Sequence, residues 1–355
     1  MVTTYPKLWK EFCTLTNLYN AYDKAKKGRT NRCYVAEFEK DERRNHITLF
    51  HEVYSGTYCP RPLKRFVLRD PKTRVISVSD FRDRIVHHML INVLQPIFEP
   101  QFVYDSYANR INKGTTAAIK RAQAFIRKTT KNNKLRLRKN SSSVRGYCLK
   151  CDIKSYFDTI DHAILVGLIR KRVPDSRVLD LITVILKNHE SKTCGQGMPL
   201  GNWTSQFFAN VYLNKLDQYV KHELKAKHYI RYVDDFIIFS RDARELQQLK
   251  VVIDEFLQSK LMITLHPNKC SIIPLHRGVP FLGFRVFPYH VLVQRRNLRK
   301  LAKRTENHLT EFNANFILKE VVIDSFNGWC AYAMNADTHY LRSRLRVDLE
   351  SSLAR

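Results

Sequence analysis

Acidic residues are scarce in this chain. Its 355 residues include 33 Asp and Glu against 61 Lys and Arg, for a formal net charge of +28 at pH 7. Like charges at that density repel one another, and a polyanion relieves the repulsion. The deficit therefore points to nucleic acid as the partner class, with the phosphate backbone as the main contact. It goes no further, because a ribosomal or chromatin-like binder carries the same balance. Long apolar runs are also missing. No segment approaches the roughly 18 apolar residues of a membrane span, and the start, MVTTYPKLWKEF, lacks an apolar core of signal length. These absences predict a soluble protein with no membrane partner. Paired cysteines at metal spacing are absent too. The eight cysteines are scattered, and Cys148 and Cys151 form the only CxxC. That segment reads as a strand, where positions three apart face opposite sides, so buried thiols in a reducing, intracellular setting are the better reading than a zinc site. No internal repeat is evident. What is abundant is core-forming: 44% of residues are hydrophobic, enough for two or three subdomains.

The periodicity predicts α+β architecture with helical flanks. Residues 5–58 read as helical, with an apolar stripe through Leu8, Phe12, Leu15 and Leu18. LKRFVLRD and TRVISVS flank the turn DPK and predict a strand hairpin over 63–78. Helices are expected across DFRDRIVHHMLINVLQPIF and over about 115–130. The polar, basic segment 131–146 reads as an exposed loop suited to facing phosphates. YCLKCDIKSYF predicts a strand, with helices to about 188, and GQGMPLGNW a glycine-rich turn into a helix over 205–223. In that helix Phe208, Val211, Tyr212, Leu216 and Tyr219 share one face, and Gln206, Asn210 and Asp217 another. A helix over 242–260 and strands at 271–273, 281–287 and 291–294 precede a basic helical tail from 297. Its apolar stripe is Leu298, Leu301, Leu309 and Phe312, with Arg299, Lys300, Lys303 and Arg304 opposite.

The segment YIRYVDDFIIFS, residues 229–240, places two acidic residues between strongly apolar strands. Asp is tolerated in a tight turn. Hairpin turns favour Gly or Asn, however, and neither is present. Adjacent carboxylates beside a buried sheet call for a counter-charge, and hard oxygen ligands suit Mg²⁺. Asp152 in LKCDIKSYF ends another apolar strand. If the two strands are neighbours, Asp152 and Asp234 meet at one sheet edge, where two Mg²⁺ about 3.5–4 Å apart can promote phosphoryl transfer. Acidic strand ends that merely solubilise the sheet remain the alternative.

In their order, these residues resemble the reverse transcriptase family over roughly residues 35–290. PKTRVISVSDFRDRIVHHMLINVLQPIFEPQFVYDSYANRINKGTTAAI resembles the fingers motifs of bacterial members. LKCDIKSYFDTIDH resembles the first catalytic motif, GMPLGNWTSQFFANVYLNKLD the motif beside the nucleotide pocket, and YVDD the metal-binding hairpin. LMITLHPNKCSI and VPFLGFRVF resemble the last two palm motifs. The resemblance implies a right-hand polymerase with an antiparallel palm sheet. It divides the chain into fingers with an N-terminal helical extension (1–145), palm (146–290, with fingers/palm helices at about 160–188) and helical thumb (291–355). It implies a carboxylate triad of Asp152, Asp234 and Asp235, with the Ile153 carbonyl as an extra metal ligand. Two Mg²⁺, with Mn²⁺ as a substitute, and dNTP substrates go with it. Phe157 is placed as the steric gate against a ribose 2′-OH, or else as a core aromatic. Arg74 would grip the triphosphate, with Lys72 or Arg65 assisting, and Lys269 would lie near it as a proton donor. Leu200, Gly201 and Gln206 would line the nucleotide pocket. Phe281, Leu282 and Gly283 would grip the primer end.

One departure refines the resemblance. Most members carry Gln-Gly in the pocket motif and Ser-Pro four residues on; this chain has Leu200-Gly201 and Ser205-Gln206. That pattern resembles the enzymes of diversity-generating retroelements, which copy a template RNA into cDNA with frequent errors at adenines. Leu lacks the hydrogen bonds of Gln, which leaves the nascent pair held mainly by shape and weakens discrimination; plain packing is the alternative for Leu200. The implied partners are template and primer RNA, the cDNA, and a small basic accessory protein that forms a pentamer, in a bacterial or phage-encoded cytoplasmic enzyme. The chain is expected to carry no endonuclease, ribonuclease H or integrase module. A group II intron or retron-type reverse transcriptase is the nearest alternative. An RNA-dependent RNA polymerase and a non-catalytic RNA-binding scaffold are the others.

Overall fold

The computed structural model describes residues 3–69, 73–135, 144–191 and 193–354. The predicted turn at 70–72, with Lys72, lies outside the described residues, as do residues 136–143 of the basic loop.

Four helices open the chain: α1 (Trp9–Phe12), α2 (Leu15–Lys26), α3 (Cys33–Glu39) and α4 (Glu42–Ser55). The Thr14 side chain accepts the Asn17 N–H and caps α2. This break resets the predicted stripe: Leu8, Phe12 and Leu18 are buried, whereas Leu15, first residue of α2, is 51% exposed. β1 (Lys64–Leu68) and β2 (Arg74–Val78) form the expected antiparallel hairpin. α5 (Phe81–Phe98), capped by Asp80, runs through the core beside α2 and is buried on nearly all sides. α6 (Thr115–Thr129) follows.

The central sheet comprises β3 (Tyr147–Cys151), β4 (Tyr229–Tyr232), β5 (Asp235–Ser240) and β6 (Ser271–Pro274), in the order β4-β5-β3-β6, all antiparallel. Its two faces feed two separate cores. Leu149, Cys151, Tyr229, Phe236 and Ile238 pack into one with α2, α5 and the helix α10 described below. Cys148, Ile230, Ile237 and Phe239 pack into the other with α6 and the C-terminal helices. Burial on both faces explains why these strands read as continuous apolar runs rather than alternating ones. It also confirms that Cys148 and Cys151 point apart, and all eight cysteines are free.

Between β3 and β4 lie α7 (Tyr156–Thr159), α8 (His162–Arg170), α9 (Ser176–Lys187) and α10 (Trp203–Gln218). α11 (Ala243–Leu261) packs on β3 and β5. The run expected as one strand over 281–287 is instead a tight hairpin, β7 (Val279–Phe281) and β8 (Phe284–Val286), extended by β9 (Val291–Val293). Leu282 and Gly283 both take positive φ, 50° and 88°, as a two-residue primed turn requires. α12 (Arg295–Asn313), α13 (Lys319–Ala333) and α14 (His339–Leu353) complete the chain. The whole is an α+β right-hand polymerase architecture. Among the described residues no helix is long and apolar enough to cross a membrane.

Candidate active site

The site lies where β3 and β5 end side by side. Their register pairs Cys151 with Phe236, so the next step brings Asp152 level with Asp235. β4 and β5 pair Tyr232 with Asp235, which leaves Val233 and Asp234 as a two-residue turn. Val233 has φ +56°, unfavourable for a β-branched residue and the kind of strain that concentrates at functional sites. The sequence thus delivers three carboxylates to one edge through strand register and one strained turn. Burial, then the charge of Asp235 and that of Asp152, push the Asp234 carboxyl up to about 6; the Arg74 guanidinium acts in the opposite sense.

Asp152 is anchored through its backbone. Its carbonyl accepts the His266 N–H at 2.7 Å, and Lys154 N–H donates to Thr264 O at 3.0 Å. Ile153, bridged to Leu265 between those two bonds, therefore directs its own carbonyl to the other side of the strand, toward β5. The Asp152 side chain accepts from Lys269 Nζ at 2.9 Å. Among the described residues no three His, Cys, Asp or Glu side chains are grouped so as to hold a metal ion. The donor chemistry nevertheless fits a hard divalent cation. The candidates are carboxylate oxygens of Asp152, Asp234 and Asp235 and the Ile153 carbonyl, and the burial and repulsion that raise Asp234 are what a cation offsets.

The residues expected to line a nucleotide pocket have the following surroundings. Arg74 opens β2 and is exposed, its charge felt at Asp234. The β1–β2 hairpin is clasped to the loop before α10: Ser77 N–H donates to Leu200 O at 2.9 Å, and Ser79 N–H to Asn202 Oδ1 at 3.1 Å. Gly201, at φ +121°, lies so close that a Cβ there would sit 2.9 Å from Ile76 Cγ2 and 3.1 Å from Ser77 O. Phe157 is half-buried, edge-on to Tyr156 at 5.5 Å, and its carbonyl accepts Met198 N–H at 2.7 Å. Leu200 and Gln206 are half-buried. Arg65 is drawn away into an exposed pair with Glu190 at 2.9 Å. Of the primer-end trio, Phe281 is a core residue, whereas Leu282 and Gly283 make the turn. The Gly283 carbonyl accepts from Gln294 N and Asn297 Nδ2, both at 3.1 Å. That turn borders a cleft of about 730 Å³ lined by Arg296, Lys300, Arg304, Trp329 and Tyr332.

Comparison with known proteins follows the same residues. The family described as reverse transcriptase (RNA-dependent DNA polymerase) matches residues 68–286. The chain belongs to the reverse transcriptase family. As a reverse transcriptase it is an RNA-directed DNA polymerase, and the family works with divalent metal ions and dNTPs. It is 25% identical to protein YkfC of Escherichia coli over 66% of this chain and 69% of that protein. It is 24% identical to the group II intron-encoded protein LtrA of Lactococcus lactis over 74% of this chain, spanning about half (53%) of LtrA. A telomerase structure from Candida tropicalis aligns with a TM-score of 0.49 and 15% identity, covering 69% of this chain and 59% of its own.

Sequence reasoning passed over a buried polar cluster beneath the site: Arg231, Asp217, Asn210 and Tyr229. Arg231 and Asp217 are both fully buried. The available signal was an arginine inside an apolar strand, a position that carries charge only when it is paired.

Proposed function

We propose that this reverse transcriptase copies a retroelement RNA into cDNA at Asp152, Asp234 and Asp235, with elevated error opposite template adenines. The convergence of β3 and the β4–β5 turn on one sheet edge supports the placement of chemistry there. Bound Mg²⁺ would activate the attacking hydroxyl and neutralise charge on the leaving oxygen. The chain's own residues do the rest. Arg74 offers a planar guanidinium to the triphosphate. Lys269 holds a proton close to Asp152 and the incoming phosphates. Phe157, its backbone tied to Met198, presents a ring where a 2′-OH would enter.

The adenine-error reading rests on one observation: Leu200 and Gln206 replace the polar and proline positions of the usual pocket motif. The Leu200 carbonyl is committed to Ser77 and its side chain has no hydrogen bond to offer, so selection depends on shape. A small basic pentameric accessory protein and a structured template RNA belong to this reading. A group II intron or retron-type enzyme is the second reading, favoured by the similarity to LtrA.

One experiment separates them. The purified chain is given a defined RNA, primer, dNTPs and Mg²⁺, with and without an accessory protein, and the cDNA is sequenced. Synthesis is expected to stop on chelation and in Asp234→Ala, which retains RNA binding. Errors are expected to cluster opposite adenine and to decline in Leu200→Gln. An even error spectrum that Leu200→Gln leaves unchanged selects the second reading.

A further inference from the structure

The Val233–Asp234 turn has a support that comes from outside the hairpin. Arg231, two residues before Val233 on β4, is fully buried. Its Nε and Nη2 grip Asp217 Oδ1 and Oδ2 at 2.7 and 2.6 Å, a bidentate pair. Its Nη1 donates to Asn210 Oδ1 at 3.1 Å and to the Val233 carbonyl at 3.0 Å. Asp217 also accepts from Tyr229 OH at 2.6 Å. Asn210 Nδ2 donates to Ala108 O at 2.8 Å, and the Arg231 backbone bonds to Asp105 O and Tyr107 N, both at 3.0 Å. Asp217 and Asn210 both lie on α10, the helix that begins directly after the pocket loop.

The guanidinium thus fastens α10 to the peptide that joins Val233 to Asp234, while the Arg231 backbone and Asn210 hold the loop at 105–108. We propose that Arg231 is a positioning residue for catalysis. By holding the Val233 carbonyl it keeps that peptide in the strained orientation that aims the Asp234 carboxylate at the reacting groups. The inference rests on Asp234 being a metal-binding carboxylate, as read above. Stability alone does not explain the arrangement. A buried ion pair replaced whole by apolar side chains is often neutral or stabilising, whereas removing one partner strands a charge. The bond to Val233 is the part with no structural substitute. Without it the turn is free to relax toward negative φ, carrying Asp234 with it.

The test replaces the pair together, Arg231→Met with Asp217→Leu, in the full chain. Melting temperature and RNA retention are measured first; because Tyr229 OH and Asn210 Oδ1 lose their partners, the melting temperature is expected to fall modestly while the chain stays folded and keeps RNA retention near wild type. The kcat for dNTP incorporation is expected to fall by about ten- to a hundredfold with KM little changed. Adding Val233→Gly, which adopts positive φ without strain, is expected to restore most of the lost kcat. A structural role alone predicts no such rescue. The proposal is overturned if the paired variant keeps wild-type kcat, or if its loss is not recovered by Val233→Gly. If the pair unfolds the chain, Arg231→Lys with and without Val233→Gly decides by the same rescue. Asp234→Ala is run alongside. Activity surviving there sinks the site reading itself; a dead Asp234→Ala beside a fully active paired variant sinks only the tether.

Discussion

At the scale of single residues, the assignments differ in what holds them. Phe157 owes its place to two fixed neighbours, the Tyr156 ring and the Met198 N–H. Removing the ring while leaving that backbone bond intact opens space without moving the strand end. Phe157→Ala is therefore expected to admit ribonucleotides, read as a fall of at least about tenfold in the dNTP/rNTP ratio of kcat/KM. Unchanged sugar selectivity would make Phe157 a packing residue only. A second prediction concerns α5. Burial, helped by His88 and Arg84, pushes His87 down to about 3; burial, with Lys24, Arg29 and Arg84, pushes His88 down to about 4. Unfolded, both titrate near the ordinary value of about 6.5. Below that pH the unfolded chain binds more protons than the folded one, so stability is full above it and is lost as pH falls toward 4. The slope is about 1.4 kcal/mol per pH unit for each proton. Thermal melts between pH 7.5 and 4.5 should show it, with a shallower slope in His88→Gln. That Asp152, Asp234 and Asp235 sit at the ends of neighbouring apolar strands was legible because charge there is costly and needs a reason. Arg231 obeys the same rule and was passed over, because its partner Asp217 lies 14 residues upstream on a helix whose polar positions suggest solvent.

At the scale of elements, periodicity located nearly every helix and strand, and errors fell where a turn interrupts a pattern. The stripe from Leu8 to Leu18 crosses the Thr14 cap, which swings Leu15 outward. The run over 281–287 hides a reversal at Leu282 and Gly283, because only φ separates a primed turn from continued strand. Asn210 and Asp217 share a face of α10 as expected, yet that face is buried against β4. The clasp between β2 and the pocket loop yields an element-level prediction. Gly201→Ala meets Ile76 and the Ser77 carbonyl at φ +121°, so the loop must lift from the hairpin. A cost of about 1–3 kcal/mol is expected, visible as a lower melting temperature. Because Leu200 shares the clasp, a raised KM for dNTP should accompany it. Wild-type values for both would mean the loop relaxes freely.

For the whole molecule, the excess of 28 positive charges governs association rather than folding. Binding to RNA should weaken steeply with salt. Engagement of about six phosphates predicts a loss of about 10³-fold between about 50 and 200 mM monovalent salt, measurable by filter retention. A flat response would mean that stacking and shape dominate. Charge and motif order made the partner class and the polymerase architecture readable from the chain. The pairing of β7 with β8 and the closeness of the last helices to the palm were not, because they depend on contacts far apart in sequence. One such arrangement has a consequence for the molecule's integrity. Because the central sheet is a partition wall between two apolar chambers, its strands cannot lose the packing on one side and keep their footing on the other. α6 lies directly on β4 and β5, so prising it away would wet the rear of the strands that flank Asp234 and Asp235, and this polymerase is not a hand whose digits can be amputated one at a time.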